Sequence, residues 1–164
     1  MIEPLEEGQI LARLNQGQLP YVVVGGFAVI VHGYLRTTED LDVLVPATRA
    51  VGEQLEQLLA GWPATRVDGS PLPAVLFDGE HHIRARTPDG IIDFIPEGLP
   101  PLDFEGVRAS ARPIEIAGEA TRVCDLAHLV AFKRLADRPQ DRADLAELEA
   151  AHGTLPEPMP TGND

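Results

Sequence analysis

The chain is poor in cysteine. Cys124 is the only one in 164 residues, so no disulfide can form within the chain. No histidine or basic residue flanks it in a catalytic pattern, and it reads as a small packing residue. Long apolar runs are missing too. None approaches the ~20 residues a membrane helix needs, and the first residues, MIEPLEEGQI, lack the basic start and apolar core of a signal peptide. The expectation is a cytoplasmic protein with no membrane partner. Positive charge is the third scarcity: 13 Lys and Arg stand against 26 Asp and Glu, a net charge of −13. Such a field weakens association with polyanions, so neither broad nor sequence-specific DNA binding is expected. Most basic side chains that could form a local patch for a nucleic-acid end lie in the second half: Arg84, Arg86, Arg108, Arg112, Arg122, Lys133, Arg134, Arg138 and Arg142.

What is present is enough for one modest core. The spacing predicts an opening helix over 3–16, with Leu5, Ile10, Leu11 and Leu14 as its apolar stripe and Gly17 as its stop. A second helix over 48–60 has Thr48 as its cap and Val51, Leu55, Leu58 and Leu59 at helical spacing. Residues 64–80 are broken by glycine and proline, with short strands expected near 65–67 and 75–77. His82 to Arg86 alternates like a strand, Thr87-Pro88-Asp89-Gly90 has hairpin chemistry, and Ile91 to Ile95 returns. Then come a short helix over 104–111, a strand or hairpin over 112–123 turning at Gly118-Glu119, and helices over 125–135 and 139–151, with Asp125 and Pro139 at their starts. The proline-rich residues 152–164 read as a flexible tail. The expected fold class is α/β (α+β). It is a single domain over 1–151, a mixed twisted sheet of about five strands flanked by helices, with a small helical C-terminal lobe over about 125–151.

The chemistry concentrates in YVVVGGFAVIVHGYLRTTEDLDVLV, residues 21–45. Tyr21 to Val24 is a short β-branched run suited to a strand buried on both faces. Gly25 and Gly26 end it, and a short helix over 27–34 follows. A helix start free of side chains leaves N–H groups available to an anion. The next strand, starting at Arg36, carries Asp40 and Asp42 two apart and therefore on one face, with Leu41 and Val43 on the other. Side-by-side carboxylates repel unless a cation lies between them, and a hard divalent ion takes such oxygen-only ligation. Asp93 stands in an otherwise apolar strand, where an unpaired carboxylate would cost several kcal/mol, roughly.

These residues resemble the signature of the nucleotidyltransferase superfamily with the DNA polymerase β-type palm: strand, glycine pair, short helix, then Asp-x-Asp. More closely, the string is similar to a small prokaryotic branch of abortive-infection-type toxin and minimal nucleotidyltransferases. Its pattern, G-G-x-A, then H-G, then R-x-T-x-D-x-D, falls here on Gly25, Gly26, Ala28, His32, Gly33, Arg36, Thr38, Asp40 and Asp42. The resemblance implies transfer of a nucleoside monophosphate from an NTP (ATP, CTP, GTP or UTP) to a hydroxyl of tRNA or protein, with release of pyrophosphate. It implies two Mg²⁺ ions, or Mn²⁺, on Asp40, Asp42 and a third acid at Asp93. It also implies a toxin–antitoxin or phage-defence setting with a partner protein. Gly25 and Gly26 would meet phosphates, and Arg36 would either bind phosphate or orient the acids. Thr38 would support the carboxylates, and Lys133 would face the triphosphate from a helix as in that branch.

Plainer readings stand beside these. Asp40 and Asp42 can be solvated strand-edge acids, and Gly25-Gly26 a mere tight turn. His32 reads as a hydrogen-bonded structural residue and His81-His82 as an incidental pair. Asp141 and Asp144 read as salt-bridge partners of Arg138 and Arg142 at helical spacing. A catalytically inactive nucleotide-binding or partner-regulating module on the same fold is the alternative function. A dinucleotide-dependent oxidoreductase would need G-x-G-x-x-G, which is absent.

Overall fold

The computed structural model describes residues 2–158, and the end of the expected tail, 159–164, lies outside the described residues. Among the described residues, six strands form one mixed sheet, flanked by six α-helices. The first helix, α1 (Glu7–Gln16), buries Ile10, Leu11 and Leu14. It starts later than the apolar spacing suggests, because the chain before it is tied to the far hairpin by Glu6 N–H donating to Asp89 C=O at 2.8 Å. Strand β1 (Val22–Val24) is buried throughout, and helix α2 (Gly25–Val31) begins on the glycine pair itself. Strand β2 (Asp40–Val45) begins four residues after Arg36 and puts Leu41 and Val43 inward. Helix α3 (Arg49–Ala60) is capped by Thr48, whose hydroxyl accepts from Val51 N–H at 3.2 Å.

The expected strands within 64–80 do not form. Thr65 makes only an isolated bridge with Arg86, and Ala74–Asp78 is a 3₁₀ turn packed on α3. Pro71 and Pro73 have no N–H to give a ladder, which leaves this segment to turns. Strands β3 (Ile83–Thr87) and β4 (Gly90–Pro96) make the expected hairpin, and helix α4 (Phe104–Ser110) follows. Strands β5 (Arg112–Ile116) and β6 (Glu119–Val123) close on Ala117-Gly118, both at positive φ, the requirement of a two-residue I′ turn. Helix α5 (Leu126–Ala136) is capped by Asp125, and α6 (Pro139–His152) opens on proline. Beyond α6, Leu155 packs against the core.

The sheet order is β3-β4-β2-β1-β6-β5. β2 sits between antiparallel β1 and parallel β4, and β6 runs parallel to β1. The core joins residues of α1, the sheet, α3, α4, α5 and α6, with Trp62, Phe94, Leu41 and Leu129 fully buried. That packing fixes the registers on which the acidic residues depend: Val24 lies opposite Asp42, Asp42 opposite Asp93, and Asp93 opposite Arg84, one row across four strands.

Candidate active site

Because opposed residues in a sheet point to the same side, that row brings acids from two strands together. Carboxylate oxygens of Asp40, Asp42 and Asp93 lie within 4.8 Å of one another. Asp93 is 2 % exposed. Burial works against its charge, but a hydrogen bond donated by His82 Nε2 at 2.8 Å and the Arg84 guanidinium at 2.6 Å outweigh this and hold it below the usual carboxylate range. Arg84 also donates to Asp40 Oδ2 at 2.9 Å. Asp42 has no basic side chain within ion-pair distance among the described residues. Burial first, then the charges of Asp40 and Asp93, push it up to about 7. Three converging carboxylates, one of them starved of a cation, form an oxygen-only donor set that suits a hard divalent ion.

The glycine pair is shaped around these acids. Gly25 takes φ +68, and a Cβ there would overlap Asp42 Oδ2 and lie 2.8 Å from Asp42 Cβ. A Cβ on Gly26 would come within 2.8 Å of Arg36 Nη2 and 3.0 Å of Thr38 Oγ1. Thr38 donates to the Asp40 carbonyl at 3.0 Å, bracing the start of β2 just before its acids. His32 is buried with Nε2 2.8 Å from the Cys124 carbonyl, a structural tie between α2 and the end of β6.

On the opposite wall, α6 turns Asp141, Asp144 and Leu148 inward. Buried Lys133 lies 3.0 Å from Asp141 Oδ1 and 2.9 Å from Asp144 Oδ2. Arg36 pairs with Asp144 at 3.0 Å rather than with the Asp40–Asp42 pair. Arg138 pairs with Asp141 at 2.7 Å. Burial opposes the charge of Asp141, yet the hydrogen bonds from Arg138 and Lys133 prevail and lower it to about 2. The expected pairing of Asp144 with Arg142 is not found: Asp144 lies on the buried stripe, while exposed Arg142 reaches Asp137 at 2.8 Å.

These walls enclose a cavity of about 480 Å³ in which Gly26, Arg36, Thr38, the three acids and Lys133 all take part. Gly25 faces an adjoining apolar cleft of about 230 Å³ with Leu129 and Phe132. The basic residues of the second half do not converge on one surface. Arg84, Lys133 and Arg138 line the acidic cavity, whereas Arg108 and Arg122 line another. Sequence reasoning missed the place of His82 and Arg84 beside the triad. The signal was available: counting back from the two-residue turn Pro88-Asp89 pairs Arg84 with Asp93, and alternation puts His82 on the same face.

No family model matches the chain, and no curated protein matches it in sequence. Solved structures do match. The crystal structure of ANT(2″)-Ia in complex with adenylyl-2″-tobramycin aligns with a TM-score of 0.57 and 16% identity, over 89% of this chain and 87% of that one. A Thermotoga maritima protein assigned as a nucleotidyltransferase aligns with a TM-score of 0.57 and 12% identity, over 92% and 98%. An antigenic nucleotidyltransferase-like protein from Paracoccidioides brasiliensis aligns with a TM-score of 0.58 and 17% identity, over 90% and 78%. The chain has the nucleotidyltransferase fold, with six strands in place of the expected five or so.

Proposed function

We propose that the chain transfers a nucleoside monophosphate from an NTP to a hydroxyl group and releases pyrophosphate. The observation that carries this reading is the convergence of Asp40, Asp42 and Asp93 at one cavity beside a side-chain-free glycine turn, on this fold. The three acids are the residues that would hold divalent metal, Mg²⁺ or Mn²⁺, with two ions expected. Bound there, metal offsets the charge of the triphosphate and lowers the pKa of the attacking hydroxyl. The chain's own groups do the rest. Gly26 lines the cavity in which the phosphates would lie and Gly25 adjoins it, Thr38 steadies Asp40, and Lys133, Arg36 and Arg138, ion-paired with Asp141 and Asp144, would form the cationic side toward the triphosphate. The hydroxyl oxygen attacks the α-phosphorus as the bond to the bridging oxygen of the β-phosphate breaks. Asp93 takes the hydroxyl proton, and pyrophosphate leaves.

The resemblance of residues 21–45 favours a tRNA or protein acceptor in a toxin–antitoxin or phage-defence setting, while the match to a complex with adenylylated tobramycin makes a small polyhydroxylated acceptor an arm of the test. The experiment incubates purified protein with Mg²⁺ and each α-³²P-labelled NTP, alone, with total tRNA, with cell protein and with aminoglycosides, beside an Asp40→Ala/Asp42→Ala control. Label that appears in one arm and vanishes in the control supports the reading and names the acceptor class. Mg²⁺-dependent NTP binding with no transfer in any arm favours the inactive binding module instead.

A further inference from the structure

Among the described residues, Arg84 alone bridges two of the three acids. Its Nη1 sits 2.9 Å from Asp40 Oδ2 and 2.6 Å from Asp93 Oδ2. The bridge ties β2 to β4 through a side chain from β3, the edge strand. A guanidinium keeps its charge at any working pH and is weakly hydrated, so it neutralises such a cluster without taking or losing a proton. It also occupies one lone pair of Asp40 Oδ2 and one of Asp93 Oδ2 and sets a fixed positive charge between them, so a divalent ion binding these acids is repelled while Nη1 stays in place. The side chain is 46% exposed and opens on the same cavity as Lys133 and Arg138, so it has room to leave. Asp93 stays oriented when it does, because His82 grips the other oxygen, Oδ1, at 2.8 Å.

We propose that Arg84 is an exchangeable counter-ion of the triad. In the metal-free protein it holds Asp40 and Asp93 together; the divalent ion displaces it, and the freed guanidinium turns into the cavity to bind the anionic substrate. The proposal rests on the metal reading of the triad given above, and it makes Arg84 a competitor of the metal and a ligand of the nucleotide. An arginine retained only for stability would be neither.

The test is Mn²⁺ binding without nucleotide, read by electron paramagnetic resonance on wild type, Arg84→Gln, Arg138→Gln and Asp93→Asn. Removing the competitor tightens Mn²⁺ binding by about 5- to 30-fold in Arg84→Gln, the ordinary range for one partly exposed charge-assisted contact. Arg138→Gln removes an equal charge from the same cavity without uncovering a triad oxygen, and changes the affinity less than about twofold. With Mn²⁺ saturating, Arg84→Gln binds NTP at least about tenfold more weakly. A wild-type readout covers the case in which Arg84→Gln fails to fold: the Arg84 side-chain ¹⁵Nε signal shifts during Mg²⁺ titration with the Kd of metal binding. Unchanged or weaker Mn²⁺ binding in Arg84→Gln, equal tightening in Arg138→Gln, or an Arg84 signal that Mg²⁺ leaves in place overturns the exchange. Asp93-dependent binding of equal strength in wild type and Arg84→Gln defeats the exchange alone. No Mn²⁺ binding in either defeats the metal reading and the exchange together.

Discussion

Gly25→Ala separates what the glycine turn does for the backbone from what it does for the acids. Gly25 has φ +68, where an L side chain costs about 1–2 kcal/mol. The new methyl would also overlap Asp42 Oδ2, and Asp42 is held in the sheet between Val24 and Asp93. Relieving the overlap moves the carboxylate off the row, at a further cost of about 1–3 kcal/mol. Together these lower the melting temperature by roughly 4–20 °C for a domain of this size. Gly33 is the control. It has φ +107, but a methyl added there would meet nothing within 4 Å, so Gly33→Ala bears backbone strain alone. The paired assay is thermal unfolding by circular dichroism and Mn²⁺ binding by calorimetry on both variants. Gly25→Ala is expected to remain folded at about 15 °C and to bind Mn²⁺ at least about tenfold more weakly, because metal affinity follows ligand placement, while Gly33→Ala keeps its Mn²⁺ affinity. Wild-type Mn²⁺ binding in Gly25→Ala, or an equal loss in Gly33→Ala, refutes the claim that the glycine exists to make room for Asp42.

The acids and their partners make further predictions. Asp42, raised to about 7 by burial first and then by the charges of Asp40 and Asp93, is about half ionised at pH 7, so Asp42→Asn is expected to stabilise the metal-free protein at that pH by about 1–3 kcal/mol in urea unfolding while abolishing transfer; a destabilised Asp42→Asn would speak against burial and repulsion opposing its charge. Lys133→Met leaves Asp141 and Asp144 buried with only Arg138 and Arg36 as cations, and is expected to cost about 3–5 kcal/mol, read from the same urea midpoints. For Asp141, the folded pKa falls from 3.8 to about 2, so its contribution is present above pH 3.8 and is lost as pH falls through about 2. The stability gap between wild type and Asp141→Asn, about 2 kcal/mol at pH 7, should therefore shrink steadily between pH 4 and pH 2; a gap independent of pH would refute it.

Local chemistry made much of this molecule legible before its fold was known. Thr48, Asp125 and Pro139 marked helix starts that form where their capping chemistry places them. The two-apart spacing of Asp40 and Asp42 set both acids on one face, and the anomaly of a carboxylate in the apolar run Ile91 to Ile95 singled out Asp93. What escaped depended on register and on distant partners. Residues 65–67 and 75–77 have strand-like composition, but the neighbouring prolines cannot complete a ladder. Arg84 reads from sequence as one of many basic residues, and only its place opposite Asp93 gives it a role. Asp144 has Arg142 close in sequence, yet its helix turns it inward, toward Lys133 from α5 and Arg36 from the segment before β2. Residues two apart point to different sides of a helix, so Arg142 and Asp144 do not meet, and spacing alone leaves open which of the two sides is buried.

The most direct measurement is a titration of Mn²⁺ with a non-hydrolysable α,β-methylene NTP analogue, followed by electron paramagnetic resonance, on wild type and on the Asp40→Asn/Asp93→Asn double variant. The account predicts saturable Mn²⁺ binding in wild type that the analogue strengthens, with both the binding and the strengthening lost in the double variant. Equal Mn²⁺ and analogue binding in the two proteins would contradict it, because the metal and the triphosphate would then be held somewhere other than the triad.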